Sequence, residues 1–322
     1  MKRRDAFTGA LGLALALRNS EASAQAVAAG WQPRQPVRLI VPFAPGGATD
    51  AVGRILASKL EAQWPVPVVV ENRAGAGTTI ATALVARAAP DGHTVLLAPA
   101  PLTITPFLYP TLPYDVQRDL APVTKLMSSP MMLVAGPRSG LRQLADLRSA
   151  RGLACGTSGN GSLAHLLLEL VKAQSGLDIT HVPYRGAGPA MAALASGDVQ
   201  LTWGAPSELS AAIQGGAVPL ALTSPVRMPG PQPAPIFAEA GMPGVSGDAW
   251  YGLVAPAGTP RAAVLAIHAA CVAALGAPDV LEALARQGMV PDVSGPDAFA
   301  RFIAADLVRW EPVVRGAQLK VD

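Results

Sequence analysis

Residues 37–50 read VRLIVPFAPGGATD, and this stretch decides the fold. Val37-Arg38-Leu39-Ile40-Val41 is a short β-branched run suited to a buried strand, Pro42 closes it, and Pro45-Gly46-Gly47 supplies a turn. Thr49 or Asp50 can then cap a helix, with Val52, Ile55, Leu56 and Leu60 on one face and Arg54, Lys59 and Glu61 facing water. A strand, a glycine turn and a helix make the first half of a βαβ unit. Val66 to Val70 predicts the next strand, Thr78 to Ala89 the next helix and Val95 to Ala98 a third strand, which completes βαβαβ.

The pattern continues outward. Met132 to Ala135, Leu153 to Gly156, Ile179 to Val182 and Val199 to Trp203 read as strands, with helices over Leu163 to Gln174 and Ala187 to Ala195, the latter closed by Gly197-Asp198. A proline-dense loop runs from Pro225 to Pro235, Trp250 to Ala255 is a strand, and three helical stretches start near Pro260, Pro278 and Pro296. This alternation predicts an α/β chain with parallel sheets flanked by helices. The three final helices carry few strands of their own, so they are expected to return to the first lobe. The chain would then cross twice, near residues 128 and 250, giving one lobe of 27–128 with 250–322 and a second of 129–249, with a cleft between them.

Length supports the division, because 322 residues exceed what one core usually organises. Half the residues are apolar and 15% charged, which excludes a disordered chain. The formal charge is +3, but residues 1–26 hold four of the 25 basic and two of the 22 acidic residues, so the remainder carries only +1. With no basic run beyond residue 26 and 5% aromatics, nucleic acid is excluded as an expected partner. The start itself reads as a secretory signal: MKRRDAF is a positive n-region, Thr8 to Leu17 a short apolar core, and Ala24-Gln25-Ala26 a small-residue cleavage pattern. Arg3-Arg4 fits either a twin-arginine or an ordinary export signal. No later stretch reaches the roughly 18 uncharged apolar residues of a membrane span. Cys155 and Cys271 read as buried hydrophobes, and His93, His165, His181 and His268 show no ligand spacing, so neither a metal nor a cofactor is expected.

Two loops carry the chemistry. Pro45-Gly46-Gly47-Ala48-Thr49-Asp50 sets free N–H groups and the positive end of a helix dipole at a strand's carboxyl edge, where an anion fits; a plain βα turn has the same sequence. Gly156-Thr157-Ser158-Gly159-Asn160-Gly161-Ser162 repeats the design and adds hydroxyls and an amide. Lobes that face each other would aim both turns into one cleft, and together they point to a carboxylate or phosphate ligand. Gly159-Asn160-Gly161-Ser162-Leu163-Ala164 also fits a relaxed dinucleotide pattern, but the following strand ends His181-Val182-Pro183-Tyr184-Arg185 without the acid such a site needs. A nucleophile elbow fails because Asn160 stands where glycine is required. Arg185 in Tyr184-Arg185-Gly186 could supply the full positive charge, or simply face solvent. Asp248 could accept from a ligand or cap the crossing segment.

The blocks VPFAPGGATD, VVVENRAGAG, AAPDGHTVLL, GTSGNGSLAH, VPYRGAGPA and WYGLVAPAGTP, in this order, resemble the Bug family, extracytoplasmic solute receptors of tripartite tricarboxylate transporters. The resemblance spans at least Pro36 to Pro260. It implies a two-lobed, flytrap-like periplasmic binding protein, with two doubly wound sheets joined by two crossovers, that closes on a small organic acid and catalyses nothing. It implies transient contact with membrane transporter subunits, and a monomer is expected. A sensor that presents its bound form to a signalling partner is the alternative. Carried over, the ligand contacts are Phe43, Gly46, Gly47 and Asp50 from the first lobe, and Ser158, Gly159, Asn160, Ser162, His165, Tyr184, Arg185 and Gly186 from the second. The third first-lobe loop, Ala98 to Pro106 with Thr103, and Gly204-Ala205-Pro206 are more apolar than the family pattern. Both departures point to a ligand with an apolar body behind its carboxylate.

Overall fold

The computed structural model describes residues 30–224 and 234–319. The expected signal, residues 1–26 with cleavage near Ala26, lies outside the described residues, as does most of the loop from Pro225 to Pro235. Two sheets organise what is described. The first holds β1 (Val37–Val41), β2 (Val68–Asn72), β3 (Thr94–Pro99), β4 (Leu120–Ser129), β10 (Ala249–Pro256) and β11 (Val290–Ser294), in the order β11-β4-β10-β3-β1-β2. The second holds β5 (Met132–Ala135), β6 (Leu153–Thr157), β7 (Ile179–Pro183), β8 (Leu201–Gly204) and β9 (Val218–Leu222), in the order β7-β6-β8-β5-β9.

The sheets are mixed, which corrects the expectation of parallel ones. β1 runs parallel to β2 and β3, while β10 runs against β3 and β4. In the second sheet β6 runs parallel to β7 and β8, while β5 runs against β8 and β9. β11 also runs against β4, at the edge of the first sheet, while β5 and β10 are each laid down just after the chain arrives from the other sheet: β5 follows β4 through Pro130 and Met131, and β10 follows β9 through residues 223–248. Such a strand starts where the lobes meet and runs away from that edge, opposite to strands that end there.

The helices are α1 (Ala48–Glu61), α2 (Thr79–Ala86), α3 (Pro101–Leu108), α4 (Leu163–Ser175), α5 (Ala187–Ser196), α6 (Pro206–Gln214), α7 (Arg261–Leu275), α8 (Pro278–Arg286) and α9 (Pro296–Gly316). Gly197 ends α5 at φ 89°, a left-handed C-cap that glycine adopts without the Cβ penalty. The apolar stripe of α1, Val52, Leu56 and Leu60, joins Val264, Ile267 and Cys271 of α7 over Val37, Leu39 and Val41. Burying each large aliphatic side chain in this layer contributes about 1.5–3 kcal/mol. On the sheet's other face Val85 of α2 meets Phe299 and Ile303 of α9 around Ile40, Leu96 and Trp250.

Two differences matter for the site. The stretch read as a loop, Ala98 to Pro106, ends β3 and then forms α3, with Pro101 in the first turn where its missing N–H costs nothing. The last helix does not belong to the first lobe alone: Trp310 and Val314 of α9, with Ile104 and Leu108 of α3, join the core that also holds Leu166 and Leu167 of α4 and Leu201 of the second sheet. Both cysteines are fully buried and free, in the cores of different sheets, and burial pushes their thiols up.

Candidate ligand-binding site

Between the sheets lies a cavity of about 1010 Å³. The first sheet lines it with Phe43, Ala44 and Pro45 after β1, with Pro99 to Pro101 at the end of β3 and the start of α3, and with Ala249, Trp250 and Tyr251 of β10. The second sheet contributes Leu163, Arg185 to Ala187 and Glu208. First-turn or N-cap residues of α1, α3, α4, α5 and α6 all reach this one space. N–H groups at a helix start have no intrahelical acceptor and carry the positive end of the dipole, so their convergence favours an anion.

The first turn is held by a carboxylate. Gly46 sits at φ 93°, where a Cβ would be strained, and its N–H donates to Asp50 Oδ2 at 3.0 Å. Asp50 also accepts from Arg54 Nε at 3.0 Å and from Asn72 Nδ2 at 2.9 Å, and the same amide donates to the Phe43 carbonyl at 3.0 Å. Arg54, the Gly46 N–H and Asn72 hold the Asp50 carboxyl down to about 2. Asp50 is only 4% exposed, so its carboxylate is engaged in shaping the turn, while Phe43, Gly46 and Gly47 face outward.

The second turn is held by imidazoles. Ser162 caps α4, with its hydroxyl accepting from the His165 N–H at 3.3 Å and donating to the Gly159 carbonyl at 2.8 Å. His165 is buried; its Nδ1 accepts from the Gly161 N–H at 3.1 Å, and its ring stacks on His181 with centroids 3.6 Å apart. His181 Nε2 lies 2.6 Å from Thr157 Oγ1. Burial, followed by the neighbouring His181, lowers His165 to about 4, and burial lowers His181 as well. Both rings are therefore neutral at pH 7, which suits an Nδ1 that accepts. Ser158 and Asn160 are exposed on this turn. The Tyr184 N–H donates to the Thr157 carbonyl at 3.0 Å and the Gly186 N–H to the Ser158 carbonyl at 3.3 Å, which fixes Arg185 beside the turn.

Of the residues singled out in the sequence, Phe43, Gly47, Arg185 and Gly186 line the cavity. Gly46 adjoins them, and Ser158 to Ser162 lie on the turn that leads to Leu163. Thr103 does not face the cavity: it is fully buried in α3, and its hydroxyl donates to Asp306 Oδ2 at 2.6 Å. Gly204 is buried in β8 against Leu209. Asp248 lines a separate cavity of about 400 Å³ with Lys125 and Arg309, and accepts from Thr223 Oγ1 at 2.7 Å. Sequence reasoning missed Thr49, Leu163, Glu208 and Tyr251. Thr49 Oγ1 reaches the Tyr251 hydroxyl across 3.5 Å, a meeting of residues 202 apart that no local pattern signals.

Fold and site together define a two-lobed α/β solute-binding protein. The chain matches the family described as "Tripartite tricarboxylate transporter family receptor" over residues 52–319. It is 38% identical over 304 residues to Protein BugT of Bordetella pertussis, covering 91% of this chain and 93% of that one. Among solved structures it resembles R. palustris Rpa4515 with adipate, at 33% identity and TM-score 0.76, covering 90% of this chain and 99% of that one. It also resembles the periplasmic binding protein BugD, at 30% identity and TM-score 0.74, covering 90% and 100%. The chain belongs to the tripartite tricarboxylate transporter receptor family, the Bug proteins, whose members are periplasmic solute receptors and not enzymes.

Proposed function

We propose that the protein captures a small organic acid between its lobes, residues 27–128 with 250–322 against 129–249, and delivers it to the membrane subunits of a tripartite tricarboxylate-type transporter. It acts as an exported monomer in the periplasm, with the signal removed near Ala26. One observation carries the reading: helix starts from both lobes line a single cavity that holds one guanidinium, Arg185, among its described residues. Arg185 with the N–H groups near Gly186 and Leu163 takes the carboxylate, and Gly46 and Gly47 meet it from the opposite lobe, with Ser158, Asn160 and Ser162 at the margin. Phe43, Pro99, Pro101, Leu163, Trp250 and Tyr251 offer an apolar wall to the rest of the molecule. That a related structure contains adipate supports an acid of this size.

Closure follows from differential contact, since a ligand that touches both lobes favours the closed state only by what it gains there. The test is a thermal-shift screen of small mono- and dicarboxylates, with mass spectrometry of whatever co-purifies. A carboxylate that raises Tm in proportion to the logarithm of its concentration supports the reading. A screen in which no carboxylate moves Tm, with a neutral sugar or peptide recovered instead, overturns it.

A further inference from the structure

The cleft is electrically uneven. Arg185 precedes α5, and the only carboxylate among the described lining residues is Glu208, in the first turn of α6. Glu208 Oε2 accepts from the Ala205 N–H at 3.0 Å, so the start of α6 is already neutralised by its own side chain. The remaining helix starts of the second lobe, those of α4 and α5, carry no acid in their first turn. The second lobe thus lines the cleft with one full positive charge, Arg185, and one full negative charge, Glu208, whose excess over the helix's partial positive end leaves the start of α6 net negative. The Tyr251 hydroxyl on the opposite wall feels this: burial first, with Glu208 adding its charge, raises the phenol.

Resting on the reading of a carboxylate-binding cleft, we propose that Glu208 sets the charge class of the ligand: the protein takes acids with a single negative charge and a neutral or cationic far end, and rejects dicarboxylates. Glu208 acts electrostatically on the Tyr251 hydroxyl, so the two share one part of the cleft, and a chain-like acid held at Arg185 that extends toward β10 brings its far end to them. A second carboxylate there meets the like charge of Glu208, an exposed side chain at the cleft, and a repulsion of this kind changes affinity by about tenfold. An ammonium or an alkyl end meets no such opposition. This separates the chain from the relative whose structure contains adipate, a dicarboxylate.

The test is titration calorimetry of the purified protein with hexanoate, 6-aminohexanoate and adipate, which share a six-carbon chain and differ in the charge of the far end. The set is repeated with butanoate, 4-aminobutanoate and succinate. Hexanoate and 6-aminohexanoate are expected to bind about tenfold more tightly than adipate. Glu208→Gln keeps an acceptor for the Ala205 N–H and should bring adipate to within about threefold of hexanoate, and Glu208→Lys should reverse the order. Equal or tighter adipate binding by the unaltered protein, or an unchanged ratio in Glu208→Gln, overturns the inference and leaves the carboxylate cleft standing. Failure of every carboxylate in both sets and in the wider screen overturns the cleft reading and this inference with it.

Discussion

The two glycine turns occupy equivalent places, each after the first parallel strand of its sheet and before a helix, yet they are braced by opposite chemistry. Behind the first stands an ionised carboxylate, Asp50, gripping the Gly46 N–H, Arg54 and Asn72. Behind the second stands a neutral imidazole pair, His165 on His181, gripping the Gly161 N–H and Thr157. The difference assigns labour. A carboxylate lodged at the start of α1 offsets part of that helix's positive end, so the first turn offers shape and N–H groups more than charge. The second turn adds no charge of its own and has Arg185 beside it, so the anion's charge is met mainly from that side.

The sharpest way to break this contrast is Arg185→Ala. It should weaken carboxylate binding by about 1.5–3 kcal/mol in calorimetry, the range for a lost charged hydrogen bond. An unchanged Kd would move the charge role entirely to the helix starts. Next come the turns themselves. Gly161 sits at φ 69° with the Leu108 side chain 2.6 Å from where a Cβ would stand, so Gly161→Ala should cost about 1–3 kcal/mol in denaturant unfolding. The pH response should be of comparable size. His165 is depressed in the folded protein to about 4, so between its unfolded value near 6.5 and that point the unfolded chain holds the extra proton. The contribution of His165 to stability is therefore complete above about pH 6.5, falls as pH drops toward 4 and levels below it, by at most about 3 kcal/mol. His165→Asn should flatten that slope; a slope that survives would place the titration elsewhere. Asp50, held near 2, stays ionised in the folded protein over the same window, and its contribution begins to fall only near pH 4, where the unfolded carboxyl takes up a proton. Smallest of all, Gly47→Ala should cost under about 0.5 kcal/mol, because Gly47 has φ −86° and open space around a Cβ.

What could be read from the sequence was local. β1, the Gly46-Gly47 turn and α1 announce themselves through a β-branched run, turn residues and a 3.6-residue stripe, and the same signals mark β6 to α4. β4 does not: Pro122 and Lys125 break its apolar run, and Lys125, at 9% exposure, is compensated by Asp292, distant in sequence, which pairs with it, and by Phe302 under its ammonium at 4.1 Å. α3 hid behind Pro101 and Pro106, which read as loop punctuation. At the site, Arg185 and the turn glycines were legible because loop chemistry is written in adjacent residues. Glu208 and Tyr251 were not, since their significance exists only once β10 and α6 face each other across the cleft.

One helix runs through both halves of the molecule. α9 lends Phe299 and Ile303 to the core of the first sheet and Trp310 and Val314 to that of the second. A rod embedded at both ends cannot let go of one half while the other stays intact, so heating should give a single cooperative transition with no half-molten species.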